Sequence, residues 1–235
     1  MTESRVFAVD VGVKHLSCAL LRFPRVDEDV AVSPLESATS LLRASTLEEW
    51  SVEALTAPSF AEVLEAAVRF VERRRDALRR CDAIVIEQQM APKMRCVAAA
   101  LFGAARSLAP DAKVLFQPAS SKLDWHETVY AALAPGARTD SYGRRKTAAV
   151  RLCGGLLAAA GQQAAAAQLA AGRKKDDLAD ALLHGLRFAA AASRPPRRAA
   201  KRPRAPSSAP GRNEGSSSFR SRAGTPRPAA ASAPA

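Results

Sequence analysis

Two periods of apolar residues run through this chain, and the switches between them predict its elements. "RVFAVDVGVKHLSCALLRF" (5–23) is rich in Val, Leu and Phe with Gly12 in its middle, the pattern of two strands joined by a tight turn. Residues 24–58 carry Pro24, Pro34 and Pro58 and match no motif; a third strand is expected near 38–45. Ser59, with Glu62 three residues on, predicts a capped helix, and Phe60, Val63, Leu64, Ala67, Val71 and Leu78 give it an apolar stripe. "CDAIVIE" (81–87) is a short continuous apolar run, suited to a strand covered on both faces. A helix over 93–108, a strand over 112–117, a helix over 142–160 and a last helix from about Asp176 to Ala192 complete the pattern. Strands, helix, strand, helix, strand and helices in that order predict an α/β fold with a mixed sheet.

Charge divides the chain. Of 35 Lys and Arg, ten lie in 193–235 beside a single acid, Glu214, so residues 1–192 are nearly neutral at about +3 of a total +12. The final segment is Pro, Ala, Ser and Arg with Phe219 as its only aromatic, too little apolar surface to offset the entropy of ordering. The expected organisation is therefore a folded domain over 1–192 and a disordered basic tail over 193–235. Such a tail suits nucleic acid, because Lys and Arg near phosphates displace condensed counterions whatever the sequence; "KRPR" (201–204) also fits a nuclear localisation signal, and a solubilising role is the plain alternative.

Cys18, Cys81, Cys96 and Cys153 show no CxxC pairing or zinc-ligand spacing and read as buried thiols of a reducing compartment. No run has the length of a membrane span, Asp10 interrupts the first apolar segment before a signal-peptide region forms, and no P-loop suggests an ATP-driven motor. An intracellular, soluble protein with no small-molecule cofactor and no membrane association is expected.

The chemistry concentrates in acids. Asp10 and Glu87 each stand where an apolar strand stops, a position that by itself means only that the side chain faces water. If the two strands are neighbours, however, the carboxylates lie together, and a helix crossing that end adds Asp177 and Asp180, three apart on one face. Asp176 and Asp180, four apart, share a face too. Four carboxylates cannot all stay ionised in one pocket without cations. Mg²⁺ resolves this with oxygen ligands, and two ions about 3.5–4 Å apart would activate a water and stabilise the leaving oxygen of a phosphodiester.

The set "FAVDVG", "AIVIEQQ", "SYGRRKTAAV" and "KKDDLADAL" resembles the RuvC-type Holliday junction resolvases of the ribonuclease H-like superfamily, over roughly residues 5–190. Their pattern is Asp-x-Gly on the first strand, Glu-Gln on the fourth, Gly-Arg-x-x-Lys before a helix and Asp-x-x-Asp-Ala on the last helix. The Lys-Lys-Asp-Asp form is similar to the poxvirus resolvases. The resemblance implies a ribonuclease H-like fold, a mixed central sheet flanked by helices. It also implies that Asp10, Glu87, Asp177 and Asp180 are catalytic, metal-binding acids for Mg²⁺ (or Mn²⁺), two ions per site. It favours Asp177 over Asp176, which becomes a supporting or capping residue. Lys146 is implied to approach the scissile phosphate or stabilise developing charge. Arg144 and Arg145 are candidate DNA contacts, and Lys174 and Lys175 either bind phosphate or merely neutralise the acids that follow.

The activity implied by the resemblance is that of an endodeoxyribonuclease. It would resolve four-way junctions and branched or concatemeric replication intermediates by paired, symmetric hydrolysis, leaving 5′-phosphate and 3′-hydroxyl ends. Symmetric incision calls for a C2 homodimer. Met94, Val97, Leu101 and Leu108 could form its interface or pack in their own core. If the chain is poxviral, it acts in the host cytoplasm. Other enzymes on the same fold, acting on RNA/DNA hybrid or as integrase-like nucleases, and a non-enzymatic basic DNA-binding protein are the alternatives. Among the remaining candidates, His184 is expected on the helix surface, and His15 and His126 lack partners at any known spacing. Gln88 and Gln89 are expected to touch DNA or orient Glu87, and Gln117, Ser120 and Ser121 to contact the DNA backbone. Trp50 and Trp125 are expected as core anchors.

Overall fold

The computed structural model describes residues 2–24, 34–125, 127–136 and 141–192. The basic tail, His126 and part of the 24–58 stretch lie outside the described residues. Strand β1 (Glu3–Val11) turns through Gly12 into β2 (His15–Pro24), and a Cβ at Gly12 would stand 2.7 Å from the His15 carbonyl oxygen, so the turn requires glycine. Helix α1 (Pro34–Ala44) follows, then β3 (Thr46–Ala54), α2 (Phe60–Glu72), the short α3 (Arg75–Leu78) and β4 (Ala83–Gln88). The remainder is α4 (Pro92–Leu108), β5 (Lys113–Pro118), a 3-10 turn (Ala119–Leu123), α5 (Glu127–Leu133), α6 (Tyr142–Ala159), α7 (Gln163–Ala171) and α8 (Lys175–Ala192).

The five strands form one mixed sheet in the order β3-β2-β1-β4-β5. β1–β2 and β2–β3 are antiparallel, while β1–β4 and β4–β5 are parallel. With helices on both faces, this is the mixed central sheet flanked by helices expected from the sequence. Alternate residues of the central strands serve two cores. Val6, Ala8, Ala19, Leu21, Ala83 and Val85 pack under α1, α5, α6, α7 and α8, while Phe7, Val9, Leu20, Ile84 and Ile86 pack under α2 and α4. Burial on both faces explains why "FAVDV" and "AIVIE" read as continuous apolar runs.

The Ser59 capping box forms as expected, with the Ser59 hydroxyl accepting from the Glu62 amide and the Glu62 carboxylate accepting from the Ser59 amide. The strand expected at 38–45 is corrected: that segment is α1, whose Ala38, Leu41 and Leu42 are buried at helical spacing, and the strand starts at Thr46. A proline-rich flank masks the three-to-four spacing. Helix α7 falls in an alanine-rich stretch with no readable period, and α5 spans only seven residues, too few to show one. Val97 and Leu101 of α4 are buried in the second core, which accounts for two of the four apolar residues considered for a dimer interface. Cys18, Cys81 and Cys153 are buried, but Cys96 is exposed on α4, correcting the expectation of four buried thiols.

Helix α8 lies against β1 and β2 at closest approach through Gly185, where a Cβ would meet Leu21 Cδ1 at 2.8 Å and Ala8 Cβ at 3.4 Å. Replacing Gly185 by Val is expected to lower stability by about 1–3 kcal/mol through overpacking, read by chemical denaturation.

Candidate active site

Parallel strands β1 and β4 lie at the centre of the sheet, where the chain continues from β1 to one side through β2 and reaches β4 on the other. Crevices outside the carboxyl ends of strands at such a reversal are the usual ligand sites of open α/β sheets. Here both strand ends carry an acid. Val9 pairs with Ile86, so the next residues, Asp10 and Glu87, come side by side. Ser17 is the register partner of Asp10 on β2, and Gln117 that of Glu87 on β5. A polar row of Ser17, Asp10, Glu87 and Gln117 thus ends the otherwise apolar face beneath α8.

Helix α8 crosses this row. Two hydrogen bonds fix its first turns: the Trp50 indole N–H donates to the Leu178 carbonyl at 2.8 Å, and the Ser17 hydroxyl to the Asp177 carbonyl at 2.7 Å. Buried Leu178, Ala179, Leu182, Leu183 and Leu186 set its rotation. That rotation separates the two neighbouring acids. Asp177 lines the cleft with Asp10, Glu87 and Asp180, whereas Asp176 binds the Lys146 ammonium of α6. Lys146 holds Asp176 below the usual carboxylate range against the opposing effect of burial. The cleft measures about 590 Å³; Lys14, Arg145, Lys146 and Lys174 line it along with His15 and Ser120. Lys175 and Arg144 are exposed but do not line it.

Glu87 is 2% exposed and Asp180 7%, so neither carboxylate has enough water to remain ionised alone. Lys122, on the turn after β5, supplies the countercharge. Its Nζ lies 3.1 Å from Glu87 Oε1 and 2.5 Å from Asp180 Oδ2. Burial by itself would lower this ammonium's pKa; Asp180, Glu87 and Asp10 outweigh it and hold the pKa above the ordinary lysine value. Burial raises Asp10 well above the usual carboxylate range, and its hydrogen bond and charge contact with Glu87 raise it further. Glu87 is held low despite its burial, because Asp10, His184 and Lys122 stabilise its charge. The two neighbouring carboxyls are thus pushed in opposite directions, Asp10 up and Glu87 down. Burial also raises Asp180, and with Asp176 nearby it raises Asp177.

Glu87 is oriented from both sides. Gln89 donates to its Oε2 and to the Val11 carbonyl, fulfilling one of the two roles expected for that residue, while Gln88 is exposed. His184 corrects the surface expectation: it is fully buried, with Nδ1 3.2 Å from the Gln117 amide nitrogen and Nε2 3.5 Å from Glu87 Oε1. Four residues beyond Asp180, it follows the buried side of α8 inward. Gln117 is likewise buried rather than placed against DNA, and Ser121 donates to the Pro118 carbonyl. Trp50 is a core anchor, as expected; Trp125 is half-buried and donates to the Lys122 carbonyl at 2.9 Å. Sequence reasoning missed Lys122 altogether. The available signal was a lysine a few residues beyond a strand parallel to the Glu87 strand, in the same "FQPASSK" stretch as Gln117.

The donors suit a hard divalent cation. Asp180 Oδ1 is buried with no hydrogen-bond partner. An unfilled buried acceptor of this kind calls for a ligand. Among the described residues, no three His, Cys, Asp or Glu side chains stand together in a metal-ligating cluster; the Lys122 ammonium occupies the gap between two of the acids. The residues present thus fit a metal in chemistry, with an organic cation in its place.

No protein-family model matches the chain. No curated protein matches either. Among solved structures, the chain is similar to the Thermus thermophilus RuvC structure, at 20% identity over 80% of this chain and 95% of that one, with a TM-score of 0.48. It is similar also to T. thermophilus RuvC in complex with Holliday junction substrate, at 18% identity over 80% and 94%, again with a TM-score of 0.48.

Because the folded pKa of Asp10 is raised, its contribution to stability is fully present below the unfolded carboxylate pKa and is lost as pH climbs toward the folded value. In EDTA, melting temperature should therefore fall between acidic and neutral pH, and Asp10→Asn should flatten that fall and be more stable than the wild type at pH 7. A steeper fall in the variant would contradict this electrostatic account.

Proposed function

We propose that this chain is a metal-dependent, structure-selective DNA endonuclease of the RuvC type, acting on four-way junctions. The observation that carries the reading is the convergence of Asp10, Glu87, Asp177 and Asp180, from three separate elements, on one cleft with a basic rim. The four sequence motifs that resemble the resolvases supply these same acids and the Lys146 helix; the Lys-Lys-Asp-Asp form favours the poxvirus branch.

In this reading Asp10, Glu87, Asp177 and Asp180 hold two divalent ions, Mg²⁺ or Mn²⁺. When bound, such ions supply an activated water and stabilise the leaving oxygen of a phosphodiester. The chain's own residues do the rest. Gln89 and the buried His184 fix the carboxylate of Glu87, and Ser17 fixes Asp10 through a 3.3 Å hydrogen bond while anchoring the Asp177 backbone. Lys14, Arg145, Lys146 and Lys174 bind the phosphate backbone at the rim and carry no base preference. Asp176 orients Lys146. A C2 homodimer presents two such clefts to the two symmetric strands of a junction.

The experiment incubates the protein with a labelled four-way junction, a matched linear duplex and an RNA/DNA hybrid, with Mg²⁺ or Mn²⁺. Symmetric nicking of the junction is expected, falling by at least ~100-fold in Asp10→Asn and Asp177→Asn with junction binding retained, because several kcal/mol of charge stabilisation rest on the ions. Asp176→Asn should lose at most about tenfold, as a supporting residue. Cutting of the hybrid alone would move the protein to the ribonuclease H activity, and binding without cutting would make it a DNA-binding protein.

The tail supports binding rather than chemistry. Deleting residues 194–235, with ten Lys and Arg, should flatten the dependence of log K on log salt for junction binding and leave the single-turnover cleavage rate unchanged. An unaltered slope would remove the tail from DNA binding.

A further inference from the structure

We propose that Lys122 is a built-in competitor for the divalent cation: its ammonium bridges Glu87 and Asp180 when metal is absent and withdraws when metal enters. This rests on the metal-dependent reading of the site and concerns what controls its loading. The ammonium contacts one oxygen of each acid, at 3.1 Å and 2.5 Å, with the three side chains only 14%, 2% and 9% exposed. An unscreened cation of this kind is a strong counterion, yet an incomplete one. It carries one charge against two carboxylates, and it leaves Asp180 Oδ1 buried and unpartnered. A divalent ion carries the missing charge and accepts several more oxygens at once.

The surroundings let the side chain leave without unfolding its backbone. The 3-10 turn is pinned from outside, by the Trp125 indole donating to the Lys122 carbonyl and the Tyr130 hydroxyl donating to the Leu123 carbonyl at 2.8 Å. The flexible four-carbon stem of lysine is the only part that has to move, and Lys122 lines the open cleft into which it would swing. Competition also explains why the acids gather at one place and yet form no ready-made ligand cluster among the described residues: they are spread around an ammonium rather than an ion with short metal–oxygen bonds.

A purely structural ion pair predicts something different. Removing Lys122 would then cost stability and leave metal affinity unchanged or weaker, since a supporting contact is lost. Competition predicts tighter metal binding from the same substitution. Mn²⁺ binding to the full chain, measured by electron paramagnetic resonance, separates the two for the wild type, Lys122→Met and Lys122→Arg, with Asp180→Asn marking the site. The expected result is Mn²⁺ binding that Asp180→Asn abolishes, at least ~tenfold tighter in Lys122→Met and no tighter in Lys122→Arg, which keeps the charge. Lys122→Met should also melt below the wild type in EDTA, because two buried acids lose their countercharge, and gain more in melting temperature from Mn²⁺. If Lys122→Met does not fold in EDTA, Lys122→Gln takes its place. Mn²⁺ binding that is no tighter in the neutral variant than in the wild type overturns the competition while leaving the metal site standing. Absence of Asp180-dependent Mn²⁺ binding in every protein overturns the metal reading and the competition with it.

Discussion

Burying Glu87 and Asp180 beside Asp10 is the constraint around which the rest of this molecule is arranged. Each ion removed from water costs several kcal/mol even after the protein relaxes, and like charges close together add to it. The chain meets that cost in three ways. It holds the Asp10 carboxyl well above the usual carboxylate range, inserts the Lys122 ammonium between Glu87 and Asp180, and directs the Gln89 amide at the remaining oxygen of Glu87. None of these groups packs a core or continues a strand. They exist because the acids are there, and they leave one acceptor of Asp180 unfilled.

A second consequence is that α8 must be docked tightly, since a small rotation would exchange which acids face the cleft. Asp176 and Asp177 are adjacent, and both can share a face with Asp180. What decides between them is remote from the carboxylates: the Trp50 and Ser17 hydrogen bonds to the α8 backbone, the apolar seam from Leu178 to Leu186, and the absence of a side chain at Gly185. Lys146 then captures the acid that faces away. A single-sided apolar helix thereby acts as a positioning device, and the choice between two neighbouring aspartates becomes a matter of core packing.

A division between periodic and aperiodic information explains what could be read from the sequence. β1, β2, β4, α2, α4 and α8 carry strong patterns, continuous apolar runs or a stripe with a cap, and the acids at their ends were legible because a charge that stops an apolar run is conspicuous. Asp10, Glu87 and Asp180 belong to this group. Proline and serine obscure the helical spacing of Ala38, Leu41 and Leu42 in α1, and α7 carries no legible pattern because alanine gives no contrast between faces. Lys122, His184 and Gln117 were missed or misplaced for a different reason. Each is a polar residue whose role depends on which strand lies beside it, and neighbour relations such as Glu87 with Gln117 arise only when the sheet forms.

The arrangement also implies a tension between stability and function. A site assembled from buried acids is the local inconsistency expected where function overrides folding, since an apolar row at Ser17, Asp10, Glu87 and Gln117 would continue the core beneath α8. The penalty is confined to one end of the sheet. Beyond it, Val6, Ala8, Ala83 and Val85 on one face and Phe7, Val9, Ile84 and Ile86 on the other are fully buried, so the strands that present the acids are packed on both faces. Rigidity there is what allows the carboxylates to be held near one another despite their repulsion. A looser sheet would relieve the charge by letting Asp10 and Glu87 part, and the cleft would lose the convergence on which its chemistry rests.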